Sequence, residues 1–193
     1  MKYSDNIRIG CVILAAGNSV RFGENKLFAP IDGKAMIERA FEAIPTDKLC
    51  AVTIVTQYDS IVKLAESYGF RYVINHQPEL GISRSVMLGT RALQNQCDGI
   101  LYTVADQPWL KGESVSRMLE IFRENADKIV GMSSNGNRGN PCIFPKAYFD
   151  ELCALSGDKG GRTVIERHVE DLILFEVSES ELKDIDTPDD IVL

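Results

Sequence analysis

What the sequence lacks narrows the field first. The 193 residues contain no uninterrupted apolar run of about 18 residues, so no membrane-spanning helix is expected. The N-terminal MKYSDNIRIG has no apolar stretch of the kind a secretion signal carries. A cytoplasmic protein without a membrane partner is the expectation. Basic charge is in deficit, since 21 Lys and Arg face 28 Asp and Glu for a net charge of −7 and a pI near 4.9. Binding along a nucleic acid backbone needs a basic face that releases counterions, so a nucleic acid partner is argued against. A small bound anion is not, because one pocket needs only a few cations and backbone N–H groups. Histidine is scarce: His76 and His168 lie far apart without a His or Cys at ligand spacing, which argues against a zinc site. The five cysteines, Cys11, Cys50, Cys97, Cys142 and Cys153, are odd in number and nowhere closer than eleven residues. They form no disulfide framework or CxxC pattern and read as buried thiols of a reducing compartment. No repeat, low-complexity tract or linker divides the chain, and its length and 45% hydrophobic content suit one domain over residues 1–193.

Strand-length apolar runs are present at Cys11–Leu14, Ala51–Val55, Arg71–Ile74, Gly99–Val104 and Ile129–Met132. They are continuous rather than alternating, as strands buried on both faces are. Between them run single-face helical patterns: Ile37, Ala40, Phe41, Ile44; Ile61, Leu64, Ala65, Tyr68; Val115, Met118, Leu119, Phe122. Alternation of this kind predicts right-handed βαβ crossovers and a three-layer, Rossmann-like α/β fold around a mostly parallel twisted sheet. The last third is less regular. It offers a short run Cys142–Phe144, helical stretches from Lys146 to Leu155 and after Gly161, and a strand-like Leu172–Val177, so one or two antiparallel strands are expected there. Asn135–Asn140 reads as the one loop long enough to be a functional appendage.

The residues that carry chemistry begin where the first strand ends, in Leu14-Ala15-Ala16-Gly17-Asn18-Ser19-Val20-Arg21-Phe22-Gly23-Glu24-Asn25-Lys26. Ligands of open α/β sheets bind beyond the carboxyl ends of the strands, where glycine lets backbone N–H groups approach phosphate oxygens. Arg21 and Lys26 supply charge there, one as a bidentate fork and the other as a mobile point charge. The spacing of Gly17 and Gly23 is not that of a dinucleotide fingerprint, and no Gly-Lys-Ser/Thr follows, so this is not a Walker-type loop. Asp106 follows the apolar run Ile100–Val104 and so falls at the tip of a central strand beside the loop. It suits a Mg²⁺ ligand, since that ion is held by one or two carboxylates plus phosphate oxygens and water. It equally suits a turn before Gln107-Pro108. Asp186-Thr187-Pro188-Asp189-Asp190 reads as a helix start with Thr187 as cap, and Asp189 and Asp190 are assigned to that alone. Gly81-Ile82-Ser83-Arg84-Ser85 opens a helix with an inner face of Ile82, Val86, Gly89 and Leu93, in which Ser83 or Ser85 is a candidate cap.

Leu-Ala-Ala-Gly-x-Ser-x-Arg-x-Gly-x-x-Lys resembles the signature of nucleotidyltransferases that activate sugars, isoprenoid precursors and molybdopterin. With Gly81–Ser85, Ala105-Asp-Gln-Pro108, Arg138-Gly-Asn-Pro141, Gly157-Asp-Lys-Gly-Gly-Arg162 and Asp184-Ile-Asp-Thr-Pro188, the chain as a whole is most similar to the molybdenum cofactor cytidylyltransferases. The resemblance implies a nucleotidyltransferase fold and CTP bound by Leu14, Ala15, Ala16, Gly17, Arg21, Lys26, Gly81 and Ser85. It implies Mg²⁺ on Asp106 and Asp186, with Arg21, Lys26 and Asp106 as catalytic residues. Ala-Ala-Gly rather than Ala-Gly-Gly accompanies cytidine over guanosine in that group, and this too rests on the resemblance. Gly139, Pro141 and Arg162 would border a molybdopterin-type phosphate acceptor, although Arg162 also reads as a surface cation. Trp109 reads as packing. Phe22 in place of the commoner Met and Gly161 in place of Ala depart from the pattern, the second loosening the helix start before Arg162.

The implied reaction is transfer of CMP from CTP to the terminal phosphate of molybdopterin, with a recipient molybdoenzyme as a further partner. The alternatives are another phosphate acceptor, GTP as donor, or a carrier protein without chemistry.

Overall fold

The computed structural model describes residues 6–17 and 25–191. Strand β1 (Ile9–Ala15) lies at the centre of the sheet and pairs in parallel with β4 (Ala51–Thr56) on one side and β6 (Gly99–Val104) on the other. Beyond β4 lies β5 (Arg71–Ile74), and beyond β6 come β8 (Asn137–Pro145), β7 (Ile129–Ser134) and β9 (Leu172–Glu176), giving the order β5-β4-β1-β6-β8-β7-β9. β8 alone runs against its neighbours β6 and β7. A small antiparallel pair, β2 (Pro30–Ile31) with β3 (Lys34–Ala35), stands apart from this sheet and was not anticipated from the sequence.

Both faces of the inner strands β1, β4, β6 and β7 are buried, which is why they read as continuous apolar runs. Cys11, Ile13, Ile54, Leu101 and Ile143 turn to one face, where they pack with α1 (Met36–Glu42), α2 (Asp59–Ser67) and α4 (Gly112–Glu124). Their in-chain neighbours Val12, Val55, Ile100, Tyr102 and Phe144 turn to the other, with α3 (Ile82–Leu93), α5 (Phe149–Cys153) and α6 (Gly161–Arg167). Helix α4 buries the stripe its 3.6-residue period prescribes: Val115, Met118, Leu119 and Phe122 are all inaccessible. No helix of the described residues is long and apolar enough to cross a membrane.

Several local expectations change. The segment 135–140 is no long loop: Asn135 and Gly136 at φ 51° and 77° make a two-residue hairpin, and β8 begins at Asn137. Positive φ at both centre positions is what that tight turn requires, and Asn-Gly supplies it. Ile82 is not on the inner face of α3 but stays exposed, while Ser83, Ser85, Val86, Gly89, Thr90 and Leu93 are buried. Neither Ser83 nor Ser85 caps the helix. Cys50 is exposed rather than buried, and its sulfur lies 3.1 Å from that of Cys97, two thiols far apart in sequence brought together beside Gly10 of β1. At the C-terminus it is Asp190 that accepts from the N–H groups of Asp186 and Thr187 and from the Thr187 hydroxyl, so the cap is built from the acidic residue and not from Thr187.

Helix α3 approaches β1 because Gly89 has no side chain: a Cβ there would stand 2.5 Å and 2.9 Å from the two methyls of Val12. Gly89→Val is expected to overpack this contact by about 1–3 kcal/mol, which for a chain of this size lowers the melting temperature by roughly 2–12 °C. Adding Val12→Ala should recover part of the loss. Equal melting temperatures for wild type and Gly89→Val in differential scanning calorimetry would contradict the contact.

Candidate active site

Three segments distant in sequence converge at the carboxyl end of β1. Lys26 opens a single 3₁₀ turn, Lys26–Phe28, that Asn25 caps by accepting from the Leu27 N–H, and Leu27 drives its side chain into the core. Asp106 follows β6 after the buried Ala105, whose N–H donates to the Leu14 carbonyl at 3.2 Å. Asp186 follows Ile185, which is inaccessible to solvent and donates its N–H to the Asp106 carbonyl at 3.0 Å. The Lys26 ammonium closes the set, donating to Asp106 Oδ2 at 2.8 Å, to the Ile185 carbonyl at 2.8 Å and to Asp186 Oδ1 at 3.2 Å. Burial works against the charge on Lys26, but the hydrogen bonds and charges of Asp106 and Asp186 outweigh it and hold the ammonium above the ordinary lysine range.

Beside this knot lies a cleft of about 360 Å³ whose walls include Leu14, Ala15, Ala16, Gly17, Lys26, Gly81, Ser85 and Asp106. Eight of the residues named from sequence for nucleotide or metal thus share one cavity. Arg21 lies outside the described residues. The side chain of Asp186 is largely exposed at the rim and touches the cavity through Lys26. Gly81, at φ 85°, lies so close to Gly157 that a Cβ would be 2.5 Å from its backbone, and Ser83 N–H donates to the Gly157 carbonyl. That contact brings Asp158 to the cleft wall. Ser85 is buried with its hydroxyl accepting from Asn75 Nδ2 at 3.0 Å. Asn75 was missed in the sequence; the signal was a polar residue directly after the short strand β5.

A second cavity of about 420 Å³ adjoins, lined by Gln107, Asn137, Arg138, Gly139, Asn140, Arg162 and Asp184 among others. It takes in two of the expected acceptor residues, Gly139 and Arg162. Pro141 is buried in β8 and does not line it. Arg162 is mostly exposed and pairs with Glu166 one turn on. Glycine at 161 has a packing reason, since a Cβ there would meet the Phe144 ring at 2.8 Å. Between the two cavities lies a small apolar saddle that shares Leu14, Ile82 and Val104 with the first and Asn140, Cys142 and Arg162 with the second. Trp109 packs against the core edge with the Lys183 ammonium over its ring.

The oxygens around Lys26 make a hard donor set. Two carboxylates and a carbonyl already gather round one cation, and oxygen donors of this type suit Mg²⁺. Elsewhere among the described residues, His168, Glu170 and Asp171 lie close together. Asp171 is bound to Lys128 and Tyr148, and His168 to Glu151, so these two residues already have protein partners.

A mostly parallel sheet with a cationic and acidic cleft at its carboxyl edge belongs to the nucleotide-handling α/β enzymes. Comparison with known proteins gives the family. The model of the MobA-like NTP transferase domain matches residues 11–172, and the chain belongs to that family; it is a nucleotidyltransferase. It is 27% identical over 191 residues to the purine catabolism protein PucB of Bacillus subtilis, covering 93% of this chain and 92% of that one. A probable molybdenum cofactor guanylyltransferase of Aquifex aeolicus is 31% identical over 115 residues, 59% of this chain and 54% of the relative. Among solved structures, Rv0371c of Mycobacterium tuberculosis H37Rv superposes with a TM-score of 0.81 at 22% identity over 95% of each chain. A complex of that protein with manganese superposes with a TM-score of 0.78 at 20% identity, again over 95% of each chain.

Removing the ammonium leaves two carboxylates uncompensated. Lys26→Met is expected to cost about 1–3 kcal/mol, less than a fully buried pair because water reaches Asp186. The penalty should shrink when Asp106→Asn is added. Because the Lys26 pKa is raised on folding, its contribution is complete below the ordinary lysine value of 10.5 and is lost as pH rises through the folded value. Urea midpoints of the single and double variants at pH 7 measure the coupling, and additive losses would refute it.

Proposed function

We propose that the protein transfers CMP from CTP to the terminal phosphate of a molybdopterin-type cofactor, giving a cytosine dinucleotide and pyrophosphate. The observation that carries the reading is the meeting of Lys26 with Asp106 and Asp186 at the edge of a cleft walled by Ala15-Ala16-Gly17 and by Gly81 and Ser85. The choice of CTP and of the acceptor rests on the likeness of Ala15-Ala16-Gly17 and the other motifs to molybdenum cofactor cytidylyltransferases. Membership of the MobA-like family and the Aquifex relative support the molybdenum cofactor as acceptor.

In this reading the nucleotide occupies the first cleft and the acceptor the second, with Gly139 and Arg162 at its wall. An acceptor phosphate oxygen forms a bond to the α-phosphorus of CTP while the bond from that phosphorus to the β-phosphate bridging oxygen breaks, and pyrophosphate departs with the electron pair. The acceptor is already an anion, so no side chain has to take a proton from it. Catalysis rests on alignment and charge neutralisation. Asp106 and Asp186 would hold Mg²⁺, which when bound lowers the repulsion between the triphosphate and the incoming anion. Lys26 moves from its carboxylates to the phosphates, and Arg21 adds a second cation.

Asp106→Ala should lower kcat by about 10²–10³, and Lys26→Ala should lower kcat more than it raises KM. Near-normal turnover of Asp106→Ala would remove the metal assignment. Thermal shift with each of the four nucleoside triphosphates plus Mg²⁺ tests donor choice, since a ligand of the native state raises stability by mass action. A selective rise with CTP is expected, together with pyrophosphate release when purified molybdopterin-type cofactor is added. A selective rise with GTP would overturn cytidylyl transfer, and cofactor binding without pyrophosphate release would make the protein a carrier.

A further inference from the structure

The end of β4 reaches across to the loop after β1 in a regular way. Thr56 Oγ1 donates to the Ala15 carbonyl at 3.1 Å, Gln57 Nε2 to the Ala16 carbonyl at 2.8 Å, and Tyr58 OH to the Gly17 carbonyl at 3.1 Å. Three successive side chains thus hold three successive carbonyl oxygens, continuing the strand register where it ends at the Ala15–Thr56 pair. Thr56 also accepts from the Tyr58 N–H at 3.2 Å, so the set is tied to itself as well as to the loop. Sheet pairing does not require any of this, since the ladder has already stopped.

The consequence follows from the peptide plane. In a trans unit the carbonyl oxygen and the next N–H point in opposite directions. With the oxygens of Ala15 and Ala16 fixed on the β4 side, the N–H groups of Ala16 and Gly17 turn to the β6 side, where Ala105 and Asp106 line the same cleft. Apolar side chains at 56–58 would hold the loop in place by packing without fixing which way its peptides face. Preset donors of this kind bind an anion or a base edge without reorganising when the ligand arrives.

We propose that Gln57 and Tyr58, with Thr56 beside them, are positioning residues for the nucleotide, acting through the Ala15–Gly17 peptides to present N–H donors to the ligand. The proposal rests on the reading that this cleft binds a nucleoside triphosphate. None of the three is assigned to touch the reacting phosphorus, so the loss on substitution falls on affinity.

The test is calorimetric titration of the full-length protein with CTP and Mg²⁺, and in parallel with the other three triphosphates, alongside steady-state kinetics and urea midpoints. Gln57→Leu and Tyr58→Phe should each weaken binding roughly three- to tenfold, the worth of one hydrogen bond, and the double variant further. KM should rise with kcat nearly unchanged. Thr56→Val should lose affinity that Thr56→Ser keeps. Tyr58→Phe removes a single oxygen, so it keeps the test informative should Thr56→Val fail to fold. Lowered urea midpoints with wild-type affinity would reduce the three residues to structural support and overturn the proposal. So would a fall in kcat at unchanged KM. If the wild type binds none of the four triphosphates, the nucleotide reading fails and takes this one with it; wild-type binding with unaltered variants sinks the positioning role alone.

Discussion

A single ammonium group organises the edge of the first cleft. Lys26 joins a turn after β1, the tip of β6 and a segment near the C-terminus, and its partners lie 80, 159 and 160 residues away along the chain. Bringing such distant segments together costs loop-closure entropy whatever the contact. The fold has mostly met that cost already, because β1 and β6 are neighbours in the sheet. What the ammonium adds is local balance. Two carboxylates side by side repel, and one cation between them relieves the repulsion while leaving a net negative charge. In the proposed reaction the same imbalance would suit a divalent ion once a polyphosphate draws Lys26 away.

The precision of that arrangement comes from apolar residues. Leu27, Ala105 and Ile185 are all buried, and each adjoins one of Lys26, Asp106 and Asp186 in the chain. A residue locked into the core fixes its backbone, and the next side chain must then emerge at one place on the surface. Charged groups held this way lose little entropy on binding because they had little to lose. Asp186 nonetheless keeps a mostly exposed side chain, so its carboxylate has a freedom of movement that the better-buried Asp106 lacks.

Much of this was legible before any coordinates. Buried strands betray themselves as continuous apolar runs, and Gly99–Val104 matches β6 residue for residue; Arg71–Ile74 matches β5 as well, an edge strand whose first two residues are exposed. The helices of one face follow from their periods, and Lys26 and Asp106 from the ends of strands that topology makes adjacent. Other features depend on contacts that a linear reading does not show. Cys50 and Cys97 meet only because their segments flank the same glycine of β1. Ile82 looks like a core residue by spacing, yet the close docking of Gly81 on Gly157 leaves it at the mouth of the cleft. The hairpin at Asn135-Gly136 carried its own signal, but the turn-forming residues that follow it, Arg138-Gly139-Asn140-Pro141, made the loop look longer than it is. They form strand instead because β7 offers partners to that polar stretch.

The two cavities divide along one line, and consecutive or alternate residues straddle it. Asp106 lines the first and Gln107 the second. Asp186 meets Lys26 at the first, while Asp184 lines the second and accepts from Gln107 Nε2 at 2.8 Å. Ile185, buried between them, is the hinge pin of this division. The proposed reaction would have to bring two anionic substrates close while keeping each on its own donors. A boundary made of neighbouring residues on two rigid segments does so without a moving part, because a side chain on one side of the line and its neighbour on the other share one backbone. The second cavity takes half of its wall from β8, whereas the first is walled by the ends of β1 and β6, the turn at Lys26 and the start of α3. Substitutions in β8 therefore reach the second cavity without touching the wall of the first.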